Sequence, residues 1–232
     1  MISNFSQEQA ADTTEINLPF MNVLTEEQRE VIIKNSNIVR YKERDVIFLQ
    51  NTRTSHIMYV KSGLVKIYKE GRNGKVLILK IETPNCFLGL TSVFGHDIHQ
   101  YSAAAIESTE ICFSDINIFK TIIKENGLFA NKLINTISLE NLFVFERLMS
   151  QSHKQLPGRI ADVLLYFAEK IFHNTSYTLP LTRRELAELA GTTKESFIRT
   201  LTEFKNDKII ELNGSEVEIK SMKIIKTLSE LG

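Results

Sequence analysis

The densest run of residues able to engage a nucleic acid is Lys194-Glu195-Ser196, with Arg199 three positions further on. On a helix Glu195 and Arg199, four apart, share one face. An arginine can donate two hydrogen bonds to guanine and a glutamate can accept one from cytosine N4. Lys194, Glu195, Ser196 and Arg199 are therefore candidates for reading base edges. Thr182, Arg183 and Thr193 are of the types that contact phosphate. Glu195 and Arg199 also have a plainer reading, an i,i+4 surface ion pair worth a few tenths of a kcal/mol. The two readings are compatible, because such a pair pre-orients the arginine.

The elements needed to present these residues are written around them. Thr182 to Glu185 is a capping-box pattern, followed by a short helix, Glu185 to Ala190. Gly191-Thr192-Thr193 makes a tight turn, and Thr193 caps a second helix, Lys194 to Phe204. Two short helices joined through a glycine turn form a helix-turn-helix. Leu186, Leu189, Phe197, Ile198, Leu201 and Phe204 supply apolar contacts, and Ala187 is small enough for close helix packing. Ile209 to Leu212 and Glu216 to Ile219, separated by Asn213-Gly214, predict a hairpin wing. A last helix, Met222 to Leu231, closes the domain.

Upstream, residues 1–18 are polar and aperiodic and read as a flexible arm. Thr25-Glu26-Glu27-Gln28 opens a short helix towards Ser36. Between Ile38 and Phe113, short β-rich runs (46–49, 57–60, 64–68, 76–79 and 110–113) alternate with turns at Lys61-Ser62-Gly63 and Gly71-Arg72-Asn73-Gly74. This predicts an antiparallel sandwich or barrel. After Asn126-Gly127 a helix is expected from about Leu128 to Ser150, longer than a small barrel needs. Its apolar residues cover more than one face, so Ile134, Ile137, Val144 and Leu148 can form a seam with a partner helix while another stripe packs inward. Gln151 to Gln155 is polar and reads as a hinge, and Pro157 suits the first turn of the next helix.

Composition excludes several classes. Among 232 residues Lys+Arg and Asp+Glu are both 28, so any nucleic-acid footprint is local. Two cysteines, Cys86 and Cys112, cannot make a disulfide framework or a four-cysteine metal site, and no iron–sulfur cluster is expected. Both are read as small packing residues, and a reducing, cytoplasmic setting fits. His96 and His99 are read as loop residues, since two histidines do not complete a metal or haem site. There is no signal-peptide pattern, no membrane span, and no nucleophile, phosphate-loop or metalloprotease motif, so catalysis is not expected.

Leu181-Thr182-Arg183-Arg184-Glu185-Leu186-Ala187 followed by Gly191-Thr192-Thr193-Lys194-Glu195-Ser196-Phe197-Ile198-Arg199 resembles the DNA-binding signature of the Crp/Fnr superfamily of bacterial regulators. Leu156-Pro157-Gly158-Arg159-Ile160-Ala161 is similar to the family's post-hinge helix, and Tyr59 to Lys66 to its cyclic-nucleotide-binding β-roll. The resemblance covers most of the chain. It implies an α+β architecture: an N-terminal antiparallel β-roll sensor over 19–127, a dimerisation helix and hinge over 128–155, and a winged helix-turn-helix over 156–232. It also implies a homodimer on an inverted-repeat operator of double-stranded DNA, acting with RNA polymerase, in which Glu195 and Arg199 read a G·C pair. Lys194 stands where cyclic-AMP-responsive members have arginine.

The cassette departs from those members. Their pattern is Gly-Glu-Leu and, about ten residues on, Arg-Ser/Thr-Ala; the glutamate holds the ribose and the arginine pairs with the phosphate. Here Gly89 is followed by Leu90, and the arginine position falls on Gln100 or Tyr101, before Ser102. Val144 and Phe145 stand where the long helix supplies polar contacts to adenine. Without the arginine a bidentate, charge-assisted interaction is missing. Gly89, Leu90, Gln100, Tyr101, Ser102, Val144 and Phe145 are thus candidates for a pocket whose small-molecule effector is not cyclic AMP. Two other readings remain: a β-roll module acting on a protein partner, and a haem-, gas- or redox-sensing regulator of the same family.

Overall fold

The computed structural model describes residues 20–232, so the arm read over residues 1–18 lies outside it. The described chain forms two compact units, residues 20–65 with 82–137, and residues 66–81 with 138–232.

In the first unit, Thr25 caps helix α1 (Glu26–Lys34), its hydroxyl accepting from the Gln28 amide while the Gln28 side chain accepts from the Thr25 amide. Strands β1 (Ser36–Tyr41), β2 (Val46–Phe48) and β3 (His56–Ser62) follow. After the second unit's hairpin come β6 (Phe87–Leu88), helix α2 (Leu90–Gly95), β7 (Ser102–Ala105), β8 (Thr109–Asp115) and helix α3 (Ile116–Glu125). One antiparallel sheet has the order β1-β8-β3-β6, with Tyr59 opposite Cys112 on β8 and opposite Phe87 on β6. β2 pairs antiparallel with β7, and the register shifts between Val46 and Phe48.

The core of this unit is aromatic. The Phe20 ring stacks on Phe87 with centroids 5.1 Å apart, and Phe119 meets Phe129 edge-on at 5.5 Å. Phe20, Phe119 and Phe129 are all fully buried, and each such ring removed from water contributes about 1.5–3 kcal/mol. Phe129 and Leu133 come from the start of helix α4 (Gly127–His153), whose first turn is capped by Asn126 accepting from the Phe129 amide. Ile137, four residues after Leu133, packs against the same cluster. Positions 129, 133 and 137 follow one another along the helix, so the half-buried Ile137 stands at the border between the core stripe and the expected partner seam.

In the second unit, β4 (Val65–Glu70) and β5 (Val76–Glu82) form the hairpin assigned largely to it. α4 stays helical through His153, leaving only Lys154-Gln155 between it and α5 (Leu156–Leu165). The expected five-residue hinge is thus mostly helix. Its end is held by side chains, with Ser150 Oγ donating to Asp162 at 2.5 Å and Lys154 Nζ contacting the same carboxylate at 2.8 Å. α5 runs into a π-helical turn, Tyr166–Ile171.

The winged domain continues with β9 (Ser176–Thr178), α6 (Arg183–Ala190), α7 (Lys194–Asn206), β10 (Ile210–Asn213), β11 (Glu216–Ile219) and α8 (Met222–Leu231). The three strands pair in the order β10-β11-β9. Leu164, Phe167, Leu186, Phe197 and Ile225 are fully buried and fasten α5, α6, α7 and α8 together. The wing turn sits one residue later than the sequence suggests. Asn213 still pairs with Glu216, so Gly214-Ser215 make the bend, and Gly214 carries the positive φ of 57°. Glycine takes that conformation at least cost, and it sets where the strand ends.

Candidate nucleic-acid interface and sensor cassette

The helix-turn-helix is assembled from two caps and one glycine. The Thr182 hydroxyl accepts from the Glu185 amide, and Glu185 Oε2 accepts from the Thr182 amide at 2.9 Å and from its hydroxyl at 2.7 Å. The other Glu185 oxygen takes an ion pair from Lys66 of the hairpin at 2.5 Å. Burial opposes the charge on Glu185, but the hydrogen bonds from Lys66 and Thr182 outweigh it and hold the carboxyl below its usual range. Gly191 ends α6 in the left-handed conformation, φ 64°, and a side chain there would collide with the amide of Gln151. Thr193 then caps α7, accepting from the Ser196 amide at 3.3 Å and donating to Ser196 Oγ at 3.1 Å.

α7 buries Phe197, Thr200, Leu201 and Phe204 and leaves Lys194, Glu195 and Arg199 exposed on its first turns. Among the described residues neither Glu195 nor Arg199 has an ion-pair partner, so the surface pair weighed from their spacing is not formed. Ser196 is half-buried beneath the cap. The four base-reading candidates thus share the opening of one helix. Of the three phosphate candidates, Thr182 and Thr193 spend their hydroxyls on caps. Arg183 donates to the Gly214 carbonyl at the wing turn, and burial lowers its pKa. The role of Arg183 as a brace between α6 and the wing was not visible from sequence, since 31 residues separate the partners.

The cassette candidates of the first unit gather around α2 and β7. Gly89 has φ 78° and sits at the start of α2, and Leu90 is buried. Ser102 is buried and accepts from the Gln50 amide at 2.9 Å. Gln100 is exposed, and the half-buried Tyr101 ring lies 5.9 Å from Phe48. Val144 and Phe145 belong to the second unit, on α4, and both are exposed.

His99 is the residue that sequence reasoning undervalued. Far from being an ordinary loop residue, it is 3% exposed and stacks on Phe48 with centroids 3.9 Å apart. Its Nδ1 is buried and among the described residues has no hydrogen-bond partner, and burial pushes its pKa below the usual value of 6.5. A side chain at Gly89 would press on its ring at 3.1 Å. No sequence signal marks this, because a His among polar loop residues looks solvated. Cys112 is buried as expected, and burial pushes its thiol up. Cys86 departs from the expectation and is only half-buried.

Two family models match the chain: a cyclic nucleotide-binding domain over residues 38–126 and a Crp-like helix-turn-helix domain over residues 158–228. The transcriptional activator protein FnrA of Stutzerimonas stutzeri is 25% identical over 187 residues, spanning 77% of this chain and 74% of that protein. The cAMP-activated global transcriptional regulator CRP of Salmonella typhimurium is 21% identical over 202 residues, spanning 84% of this chain and 95% of that one. Among solved structures, FixK2 from Bradyrhizobium japonicum superposes with a TM-score of 0.77 at 20% identity. That match covers 83% of this chain and 96% of FixK2, and it is a likeness of fold. No described helix is long and apolar enough to cross a membrane.

Proposed function

The chain belongs to the Crp/Fnr family of DNA-binding transcription regulators, which are not enzymes, and from that premise we propose that it is a cytoplasmic homodimer controlling transcription from an inverted-repeat operator under an effector other than cyclic AMP. The observation that carries the operator reading is the opening of α7. Lys194, Glu195 and Arg199 are exposed there, and neither Glu195 nor Arg199 is held by an ion pair. Arg199 supplies the guanine fork and Glu195 the acceptor for cytosine N4. The capped turns of α6 and α7, and the wing braced by Arg183, supply backbone amides for the phosphates.

Dimerisation is supported by α4. Its 27 residues span about 40 Å, and Ile134, Val144 and Leu148 are 57–61% exposed. A partner α4 laid along that stripe would cover them and set the two α7 helices about one DNA turn, roughly 34 Å, apart. The effector reading follows from the cassette. A buried Leu90 and an exposed Gln100 offer neither the carboxylate for a ribose nor the guanidinium for a cyclic phosphate. The bound protein would recruit RNA polymerase.

The test is selection of sites from random duplex DNA by the purified, ligand-free protein. An enriched inverted repeat with G·C pairs at matching half-site positions is expected. Arg199→Ala should then lose about 1–3 kcal/mol of specific binding and relax one position of the half-site. A folded Arg199→Ala protein that selects the same sequence with the same affinity sinks the reading and favours a module that acts on protein partners.

A further inference from the structure

Beside the C-terminal half of α4 lies a groove of about 680 Å³, contained wholly in the second unit. That is within the roughly 300–1,000 Å³ typical of small-molecule sites. Its apolar walls include Leu142, Phe145 and Met149 of α4 and Leu165 of α5. Its far side is the π-helical turn, which contributes Tyr166, Glu169 and Lys170. Turns of this kind are rare and are frequently found at functional sites.

The polar groups of the groove are not equally engaged. The Asp162 carboxylate accepts from Ser150 and Ser229, at 2.5 Å each, and from Lys154 at 2.8 and 3.0 Å. Glu169 is bridged to Lys226 at 2.9 Å. Arg147 differs. It is half-buried, one Nη2 donates to the Leu189 carbonyl at 2.5 Å, and among the described residues no carboxylate pairs with it. A guanidinium carries five N–H donors in a planar fork, so most of its hydrogen-bonding capacity is unspent. Burial also lowers its pKa, against the opposing influence of Tyr166 and Asp162.

We propose that this groove is a ligand site for an amphipathic monocarboxylate, its chain along Leu142, Phe145, Met149 and Leu165 and its carboxylate on the fork of Arg147. Arg147, Lys154 and Lys170 line the groove against Glu146, Asp162 and Glu169, so its charges balance, and one carboxylate is the smallest addition that engages the Arg147 fork. The site borders the seam assigned to a partner helix. Phe145 and Met149 line the groove, whereas their neighbours Val144 and Leu148 do not. A ligand here touches both α4 and α5, the helices joined at Lys154-Gln155, so its occupancy biases the junction that aims the winged domain.

The experiment titrates the full chain with decanoate in a calorimeter, with 1-decanol as the uncharged comparison. Saturable binding of one decanoate per chain is expected, with decanol weaker by about tenfold or more. Arg147→Met should weaken decanoate by about tenfold or more. Met149→Trp, which fills the groove from its exposed rim, should abolish binding. Thermal melts establish that each variant is folded, and Met149→Trp decides if Arg147→Met is not. No saturable heat up to about 1 mM, equal binding of decanol, or undiminished binding to folded variants overturns the proposal. So does a change in dimer mass in either variant with the decanoate heat unaltered, since a second copy is then the occupant. Operator binding by ligand-free protein, measured in parallel, fails or stands independently of these outcomes.

Discussion

The helix-turn-helix and the sensor cassette are built from similar parts and use them oppositely. Each has a left-handed glycine bounding a short helix, Gly191 at the end of α6 and Gly89 at the start of α2. In the winged domain the small polar residues are consumed by caps, and the charges at the opening of α7 are left projecting without ion-pair partners among the described residues. In the cassette the residue after the glycine is apolar and buried, the buried serine serves a backbone amide, and the buried histidine is stacked on a phenylalanine. One region has charge in reserve for a ligand and the other does not. The difference teaches that a fold does not fix the chemistry of its sites, which has to be read residue by residue in each region.

The contrast can be pressed at several points. Phe197→Ala, at a fully buried position under the reading helix, should cost about 3–5 kcal/mol in urea unfolding. A loss below about 1 kcal/mol would mean that the winged core is not what positions α7. Thr182→Ala and Thr25→Ala each remove one half of a capping box and should each cost about 1 kcal/mol. Unequal losses would show that one unit leans on local capping more than the other.

His99 predicts a slope rather than an offset. Its pKa in the folded protein lies below the usual 6.5 because burial disfavours the imidazolium. The unfolded chain therefore binds the proton more readily, and the stability from the neutral ring is complete above about pH 6.5 and declines as the pH falls below it. Melting temperatures of wild type and His99→Phe should diverge in pH dependence over that window. Parallel curves would show that the histidine is not held neutral. The smallest expected effect is none at all. Cyclic AMP should leave the melting temperature unmoved, whereas a ligand at 100 times its dissociation constant would add about 2.7 kcal/mol. A clear upward shift would erase the contrast between the two regions.

How much of this was legible depended on whether the signal was local. Both capping boxes, the glycine turn of the helix-turn-helix and α8 are short-range patterns, and they stand where the sequence puts them. β7, Ser102 to Ala105, is buried at every position and so offers no alternation, and β9 is only three residues long. The wing turn moved by one because Asn-Gly is read as a pair, while only Gly214 takes a positive φ. Ile137 and His99 owe their burial to partners distant in sequence, and so does the brace from Arg183 to the wing. The candidate base-reading residues were legible because they sit on one helical face. The groove at Arg147 was not, because its walls come from four separate stretches of chain.

The π turn at Tyr166–Ile171, where the Phe172 amide bonds the carbonyl five residues back, bears on how the chain tolerates insertions and deletions. Such a turn holds one residue more than an α-helical turn. Because α5 ends in it and irregular chain follows over 172–175, removing a residue shortens the end of a helix without rotating a helical face beyond it. The same deletion within α7 would swing the reading face by about 100°. Length is therefore a forgiving variable beside the groove and an unforgiving one beside the DNA. A single-codon deletion scan across both segments would trace that boundary, separating changes that reshape only the groove from those that silence the regulator.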